Sequence, residues 1–362
     1  LLTSLTGAWL DKGGGAIKSN SGFLTHNTHA LQRPDLLKNK QTRSFNMNQL
    51  GTVLLEAAPA VHSLFVYNCN PAIVTPESNK VRQGLIRDDL FTVVHDLFLT
   101  ETAKYADIVL PATSSFENTD FYTSYWHHYI HLQQPIIEPY EESKSNSDVF
   151  RLLARAMGFE EEALLESDEE LIRQAVDHKG NISYSTITYD QLLKNLYVKA
   201  NRDAFSLSSL PTPSGKIELY SKTMEKEGYP PLPTHMPLVQ EEHFPFLFVP
   251  GPNHNFLNST FSNNQKHREL EKNPIVHMNE RDAKKLDIDD KELVRIWNDR
   301  GECQLTVSVG TNVLPGVLVT QGLYADLAGD MHLVNALTPD RLADMGGGAT
   351  FFSGRVACEK MT

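Results

Sequence analysis

The chain is poor in cysteine. Cys69, Cys303 and Cys358 are the only three in 362 residues, and no two form a CxxC pair. A zinc ribbon or an iron–sulfur cysteine run is therefore excluded from this sequence. An odd number of widely spaced cysteines also argues against a disulfide framework, and a reducing, cytoplasmic location is the simplest expectation. No apolar run is long enough to cross a bilayer, so no membrane span is expected. Cations are in the minority, with 33 Lys and Arg against 45 Asp and Glu and a net charge of −12. Such a balance disfavours nucleic acid as a partner, because non-specific binding rests on phosphate neutralisation. An anionic cofactor held by backbone amides is still allowed. The glycine fingerprint GxGxxG is missing, which counts against an ordinary nicotinamide or flavin dehydrogenase. The first residue is not Met, and no basic n-region precedes an apolar stretch. The start resembles the middle of a longer polypeptide.

What is present is organised around Phe91 to Asp120. Phe91 to His95 is a short apolar strand with a carboxylate, Asp96, at its exit. A threonine-bearing turn (Thr100, Thr102) leads to a short helix at Glu101 to Tyr105 and a strand stopped by Pro111. Upstream, Ser63 to Cys69 is another strand, ended by Asn68-Cys69-Asn70-Pro71. A helix is expected from Pro76 to Arg87, with Thr75 as its N-cap. The unit is β-α-β, so the strands should be parallel and their exits should converge. Ligands bind at that edge of an open α/β sheet. Two readings of Asp96 stay open at this level. It can cap the turn that follows, or its two acceptor oxygens can face the adjacent N1–H and amino donors of a guanine.

The remaining segments supply the frame. Residues 1–55 include a helix-like Leu-Leu-Thr-Ser-Leu and a Gly13-Gly14-Gly15 turn, and they build no compact fold alone. Glu117 to Gln134 is rich in aromatic and β-branched residues, which suits extended structure. In a strand, His127 and His131 would share a face and His128 would point away, with no carboxylate or cysteine to complete a metal set. Ser147 to Gly158 has the best helical pattern in the chain, and the acidic run at Glu160 to Val176 reads as a second helix with a solvated face. Asp190 to Ala200 is expected to be helical, Ser206 to Pro213 a loop, and Gly215 to Tyr220 a strand or hairpin arm. The Pro-rich stretch at 228–233 marks a linker, with a domain boundary near residue 237. Beyond it, short strands, a helix capped by Asn279 and a hairpin turn at Asn298-Asp299-Arg300-Gly301 indicate a small β-barrel.

Several long stretches resemble the molybdopterin-dependent oxidoreductases of the dimethyl-sulfoxide-reductase superfamily. They are HDLFLTETAKYADIVLPATSSFE (His95 to Glu117), YNCNPAIVTPE (Tyr67 to Glu77), LTGAWLDKGGGA (Leu5 to Ala16) and the run from Val276 to Glu302. Two places depart from the commonest pattern: Glu117-Asn118-Thr119-Asp120 lacks a Gly soon after the Glu, and Gly251-Pro252 stands where many relatives have Gly-Arg.

The resemblance implies an α/β fold. Residues 1–55 would be the tail of one Rossmann-like domain, 56–237 the second half of another, and 238–362 a double-psi β-barrel. It implies a bis(molybdopterin guanine dinucleotide) cofactor with molybdenum, or tungsten in some relatives. Asp96 and Thr100 would read a guanine, which favours the ligand reading of Asp96, and Asn68 and Asn70 would approach the nucleotide arm. Asp120 is also expected to be a cofactor contact. Gly251, Asn253, His254, Asn258, Ser259 and Thr260 would face the pterins, with Asn335 close by. The metal ligand, and an iron–sulfur cluster where one exists, would lie upstream of this chain. No catalytic or metal-binding residue is expected within it. Its partners would be the N-terminal part of the same polypeptide, an electron-transfer protein and a small-molecule substrate. The chain alone should be inactive. The rival reading is a non-catalytic module that binds a nucleotide or a partner protein.

Overall fold

The computed structural model describes residues 1–16, 26–38, 40–125, 127–176, 187–200, 210, 212–238, 243–271, 274–322 and 333–361. Residues 1–41 carry the short helices α1 (Leu2–Leu5) and α2 (Thr28–Gln32). Residues 42–112 carry α3 (Leu50–Glu56), β1 (Ser63–Tyr67), α4 (Pro71–Val74), α5 (Ser78–Leu85), β2 (Phe91–Asp96) and β3 (Ile108–Pro111). Residues 113–237 carry β4 (Asp120–Tyr122), β5 (Tyr129–Gln133), α6 (Asn146–Ala156), α7 (Asp168–Val176), α8 (Tyr189–Asn195), β6 (Tyr197–Lys199) and α9 (Lys222–Lys226). The last segment holds β7 (Phe246–Gly251), α10 (Gln265–Glu271), β8 (Ile275–Asn279), α11 (Glu280–Leu286), β9 (Leu293–Asn298), β10 (Gly301–Gly310), β11 (Val317–Gln321) and β12 (Arg355–Lys360). These segments form two compact units. One joins 1–41 to 113–237, and the other joins 42–112 to 238–362.

In the first unit, β4, β5 and β6 form an antiparallel sheet. Its buried face, with Ile130 and Leu132, packs on Ile172, Ala175 and Val176 of α7 and Leu192 of α8. Most of the expected Ser/Pro-rich loop at 206–213 lies outside the described residues. The helix expected over Asp190 to Ala200 stops early. Leu196 turns to φ 63° and the next three residues pair with β5 as β6. The acidic run is a 3-10 turn at Glu162–Leu164 followed by α7, and Gly215 to Tyr220 forms no strand.

The second unit contains both the parallel sheet and the barrel. β2 lies between β1 and β3 with all three strands parallel, as the β-α-β pattern requires. Leu64, Val66 and Val94 on one face meet the helices and the turn at Ala103. The helix expected to start at Pro76 is displaced. A proline disfavours helical geometry in the residue before it, and Thr75 accordingly sits at φ −85°, ψ 142°. Pro71 instead opens α4, and α5 begins only after Glu77 at φ 47°. Helices α3 and α5 approach closely because each carries a glycine at the contact. A Cβ on Gly84 would lie 2.5 Å from the Leu54 Cβ, and one on Gly51 would lie 2.7 Å from the Lys80 Cβ.

The barrel is closed, with strand order β10-β8-β11-β7-β12-β9 and β9 paired back to β10. Closure removes the unpaired edges that an open sheet would expose. Phe248, Val276, Met278, Ile296, Leu305 and Leu318 fill it. The expected hairpin joins β9 to β10, and Asn279 caps α11 by accepting the Arg281 N–H at 3.0 Å. Cys303 and Cys358 are free thiols within this core; burial pushes the Cys358 thiol up to about 12. A 3-10 turn at Val334–Ala336 fastens the barrel to the sheet. The Asn335 amide donates to Ile73 O at 2.8 Å, and the Glu77 N–H donates to Thr338 O at 3.0 Å.

Candidate functional site

Three parallel strands deliver their C-terminal ends to one edge of the sheet. At the first exit, Asn68 has φ 54°, a left-handed conformation that asparagine tolerates better than most residues. Asn70, 8% exposed, spends its side-chain oxygen on Thr102. It accepts from Thr102 N at 3.1 Å and from Thr102 Oγ1 at 2.6 Å, while Thr102 Oγ1 accepts from Ala72 N at 3.0 Å. Asn70 thus ties the exit of β1 to the exit of β2.

Asp96 ends the central strand and is half-buried. Burial raises its carboxyl above the ordinary value, offset only in part by the Phe98 and Leu97 backbone N–H groups and by His95. The Phe98 N–H lies 3.5 Å from Oδ1, too long for a firm cap. Thr100 Oγ1 faces the Ala103 N–H at 3.4 Å, a contact no firmer, and the Thr100 carbonyl accepts from Lys104 N at 3.2 Å; Thr102, the residue before the 3-10 turn at Ala103–Tyr105, makes no side-chain cap. Neither Asp96 nor Thr100 makes a firm side-chain cap here. The Asp96 carboxylate remains a desolvated acceptor at the sheet edge.

The second cluster lies on the barrel, in the loop after β7. Gly251 pairs with Gln321, and its carbonyl accepts from Gly322 N at 2.6 Å. Asn253 is 8% exposed. Its Nδ2 donates to Glu271 Oε2 at 3.2 Å, while its buried Oδ1 has no hydrogen-bond partner among the described residues. Glycine is required opposite it. Gly322 has φ 91°, and a Cβ there would fall 1.4 Å from Asn253 Oδ1. Glu271 also accepts from Asn255 N, and the His267 Nδ1–H donates to Asn255 O at 2.7 Å with its ring stacked on Phe261. Glu271 and His267 on α10 shape this loop, and neither stands out in the sequence. Beyond it, Leu257 and Thr260 exchange backbone hydrogen bonds of 3.1 and 3.0 Å around Asn258 at φ 56°. His254, Asn258 and Thr260 are exposed, and Ser259 is half-buried.

Two further expected residues have surroundings of their own. Asn335 is 1% exposed with its amide engaged by Ile73 and Thr338, so its side chain works as a staple inside the unit. Asp120 belongs to the first unit. It lines a cavity of about 250 Å³ with Asn118, Ser145, Ser147 and Asp168. Burial and the nearby Asp168 raise its carboxyl. In the same unit, the His127 and His131 rings lie 5.4 Å apart. Among the described residues, no group of three or more His, Cys, Asp or Glu is placed to hold a metal ion.

Both clusters fall within known sequence families. Residues 18–156 match the molybdopterin oxidoreductase family, and residues 246–354 match the molydopterin dinucleotide binding domain. The two matches follow one another along one chain, and dimethyl sulfoxide reductases are among its relatives. The chain belongs to the dimethyl-sulfoxide-reductase family of molybdopterin oxidoreductases. A Bacillus subtilis relative, "Probable oxidoreductase YoaE", is 67% identical over 99% of this chain and 53% of its own length. The dimethyl sulfoxide/trimethylamine N-oxide reductase of Rhodobacter capsulatus is 26% identical over 77% of this chain and 39% of that protein. The solved acetylene hydratase from Pelobacter acetylenicus shares the fold, with a TM-score of 0.72 at 22% identity, covering 92% of this chain and 49% of that one. The chain spans about half the length of the curated relatives it matches. Among the described residues, no helix is long and apolar enough to cross a membrane.

Proposed function

We propose that this chain grips the nucleotide and pterin parts of a bis(molybdopterin guanine dinucleotide) cofactor, with molybdenum or tungsten as its metal. In this reading the parallel sheet is part of a Rossmann-like domain and the barrel is of the double-psi type. The observation that carries the reading is Asp96, a desolvated carboxylate without a firm cap partner, at the exit of the central parallel strand. It asks for N–H donors, and guanine offers two adjacent ones. The orphan Oδ1 of Asn253 asks for a donor too, and the amino-bearing ring of a pterin has them. These are acceptor positions of the kind the cofactor's rings would satisfy. Thr100 and Asn68 shape the sheet edge around Asp96. Asn70 and Asn335 hold the elements that carry the two clusters. Asp120 takes its place through the cavity of the first unit.

When bound, the cofactor supplies two-electron redox chemistry at its metal, including oxygen-atom transfer to or from a small substrate. The chain's own residues bind and orient it. The whole relative-length polypeptide would be the oxidoreductase and would exchange electrons with a protein partner, and the isolated 362-residue chain would turn over no substrate. The family matches do not favour the rival reading of a non-catalytic module.

The test is made in a hybrid: the Bacillus subtilis relative with its matched half replaced by this chain. Asp96→Ala should lower GMP and molybdenum per mole of purified protein about tenfold, consistent with losing a two-point hydrogen-bonded contact worth about 1–3 kcal/mol. Unchanged GMP, or release of a different nucleotide, would refute the guanine assignment.

A further inference from the structure

Helix α6 has its apolar side turned away from its own unit. Its inner side carries Ala154, 6% exposed, and Arg151, which pairs with Asp168 and donates to Glu166 O at 2.5 Å. Its outer side carries Leu152 at 46% exposure, Leu153 at 39% and Met157 at 62%, and Phe159 just past the helix is 44% exposed. Leu153 and Met157 are four residues apart and so form one stripe. A surface helix ordinarily shows the opposite polarity, with its apolar stripe toward the core. The helix is nevertheless well specified. Ser145 caps it by accepting the Asp148 N–H at 3.1 Å, and Gly158 stops it at φ 73°. A contiguous open stripe of this kind marks an interaction surface.

We propose that the α6 stripe is the docking face for the polypeptide that corresponds to the unmatched half of the relatives. The relatives' length argues for that occupant. This chain accounts for 53% of the Bacillus subtilis protein and 49% of the acetylene hydratase, so each has a body of similar size outside the match. An apolar stripe with no charged side chain among its four residues suits permanent burial in such a body better than a transient polar contact.

The same hybrid tests this independently of the cofactor reading. Met157→Cys is introduced in the chain alone and in the hybrid, and alkylation at that position is followed by peptide mass spectrometry. Labelling should be at least tenfold slower in the hybrid, while Lys222→Cys on α9 labels equally in both. Leu153→Glu should leave the thermal midpoint of the chain alone unchanged and lower that of the hybrid. Equal labelling of Met157→Cys in both proteins, or a Leu153→Glu effect of the same size in both, overturns the proposal. Slowing in the chain alone that grows with its concentration also overturns it, because a second copy would then be the occupant. GMP retention without slowed labelling removes this proposal and leaves the cofactor reading standing; slowed labelling without GMP does the reverse.

Discussion

At the scale of single residues, Asp96 holds opposed demands. Its carboxyl is raised above the ordinary 3.8 because burial disfavours the charged form. A carboxyl with a raised folded-state value binds its proton more tightly in the folded chain than in the unfolded one. Stability therefore falls as pH rises from about 3.8 through the raised value, and the cost is fully present at neutral pH. Asp96→Asn should raise the thermal midpoint of the chain at pH 7 by roughly 1–3 °C, a modest gain because the group is only half-buried. The gain should shrink as the pH falls toward 4. Calorimetry at both values checks this, and a lowered midpoint at pH 7 or a gain independent of pH would rule it out. A gain in the neutral substitute would mean that the charge at this position is not kept for stability.

At the scale of elements, the glycine-mediated approach of α3 and α5 sets the back of the sheet. Gly84 has Leu54 Cβ only 2.5 Å from where its own Cβ would be, so Gly84→Ala must push the helices apart. The expected loss is about 1–3 kcal/mol, seen as a lower urea midpoint with an unchanged slope. A neutral result would mean that the helix pair yields without cost. The elements differ in how legible they are. The strands β1 to β3 and the β9–β10 hairpin are visible in the sequence because alternation, β-branched residues and turn residues act over a few positions. The Asn279 cap is visible for the same reason. The split of α4 from α5 is less so, because it turns on one non-glycine residue, Glu77, held at φ 47° while its N–H donates to Thr338, 261 positions away along the chain. Strand β12 and helix α10 carry no strong local signal and exist through their neighbours.

At the scale of the whole molecule, the second unit depends on the joint between sheet and barrel. Asn335 donates to Ile73 O across 262 positions of sequence, and its side-chain oxygen accepts from Thr338 Oγ1 at 3.1 Å. Asn335→Ala would leave a buried carbonyl without its donor and should cost about 1–3 kcal/mol. Amide exchange should then quicken more in β1 to β3 than in the barrel strands. An equal increase in both would mean that the staple contributes only to general stability. The family resemblance implies that Asn335 lies close to the cofactor, and its observed contacts make it a fastener of the element that would bear the site.

The sequence by itself determined strands β1 to β3 and the β9–β10 hairpin, the parallel sense of the sheet, the barrel and the family, because these follow from local patterning and from long motifs such as His95 to Glu117. It also put a carboxylate at the exit of the central strand. Tertiary structure alone decided that the Asp96 carboxylate is half-buried, with only local backbone N–H groups at its oxygens. It decided that Asn335 is spent on Ile73, and that α6 turns its apolar stripe outward. The physical reason is the same each time: whether a polar or apolar group is satisfied depends on what is packed beside it, and those neighbours come from distant parts of the chain.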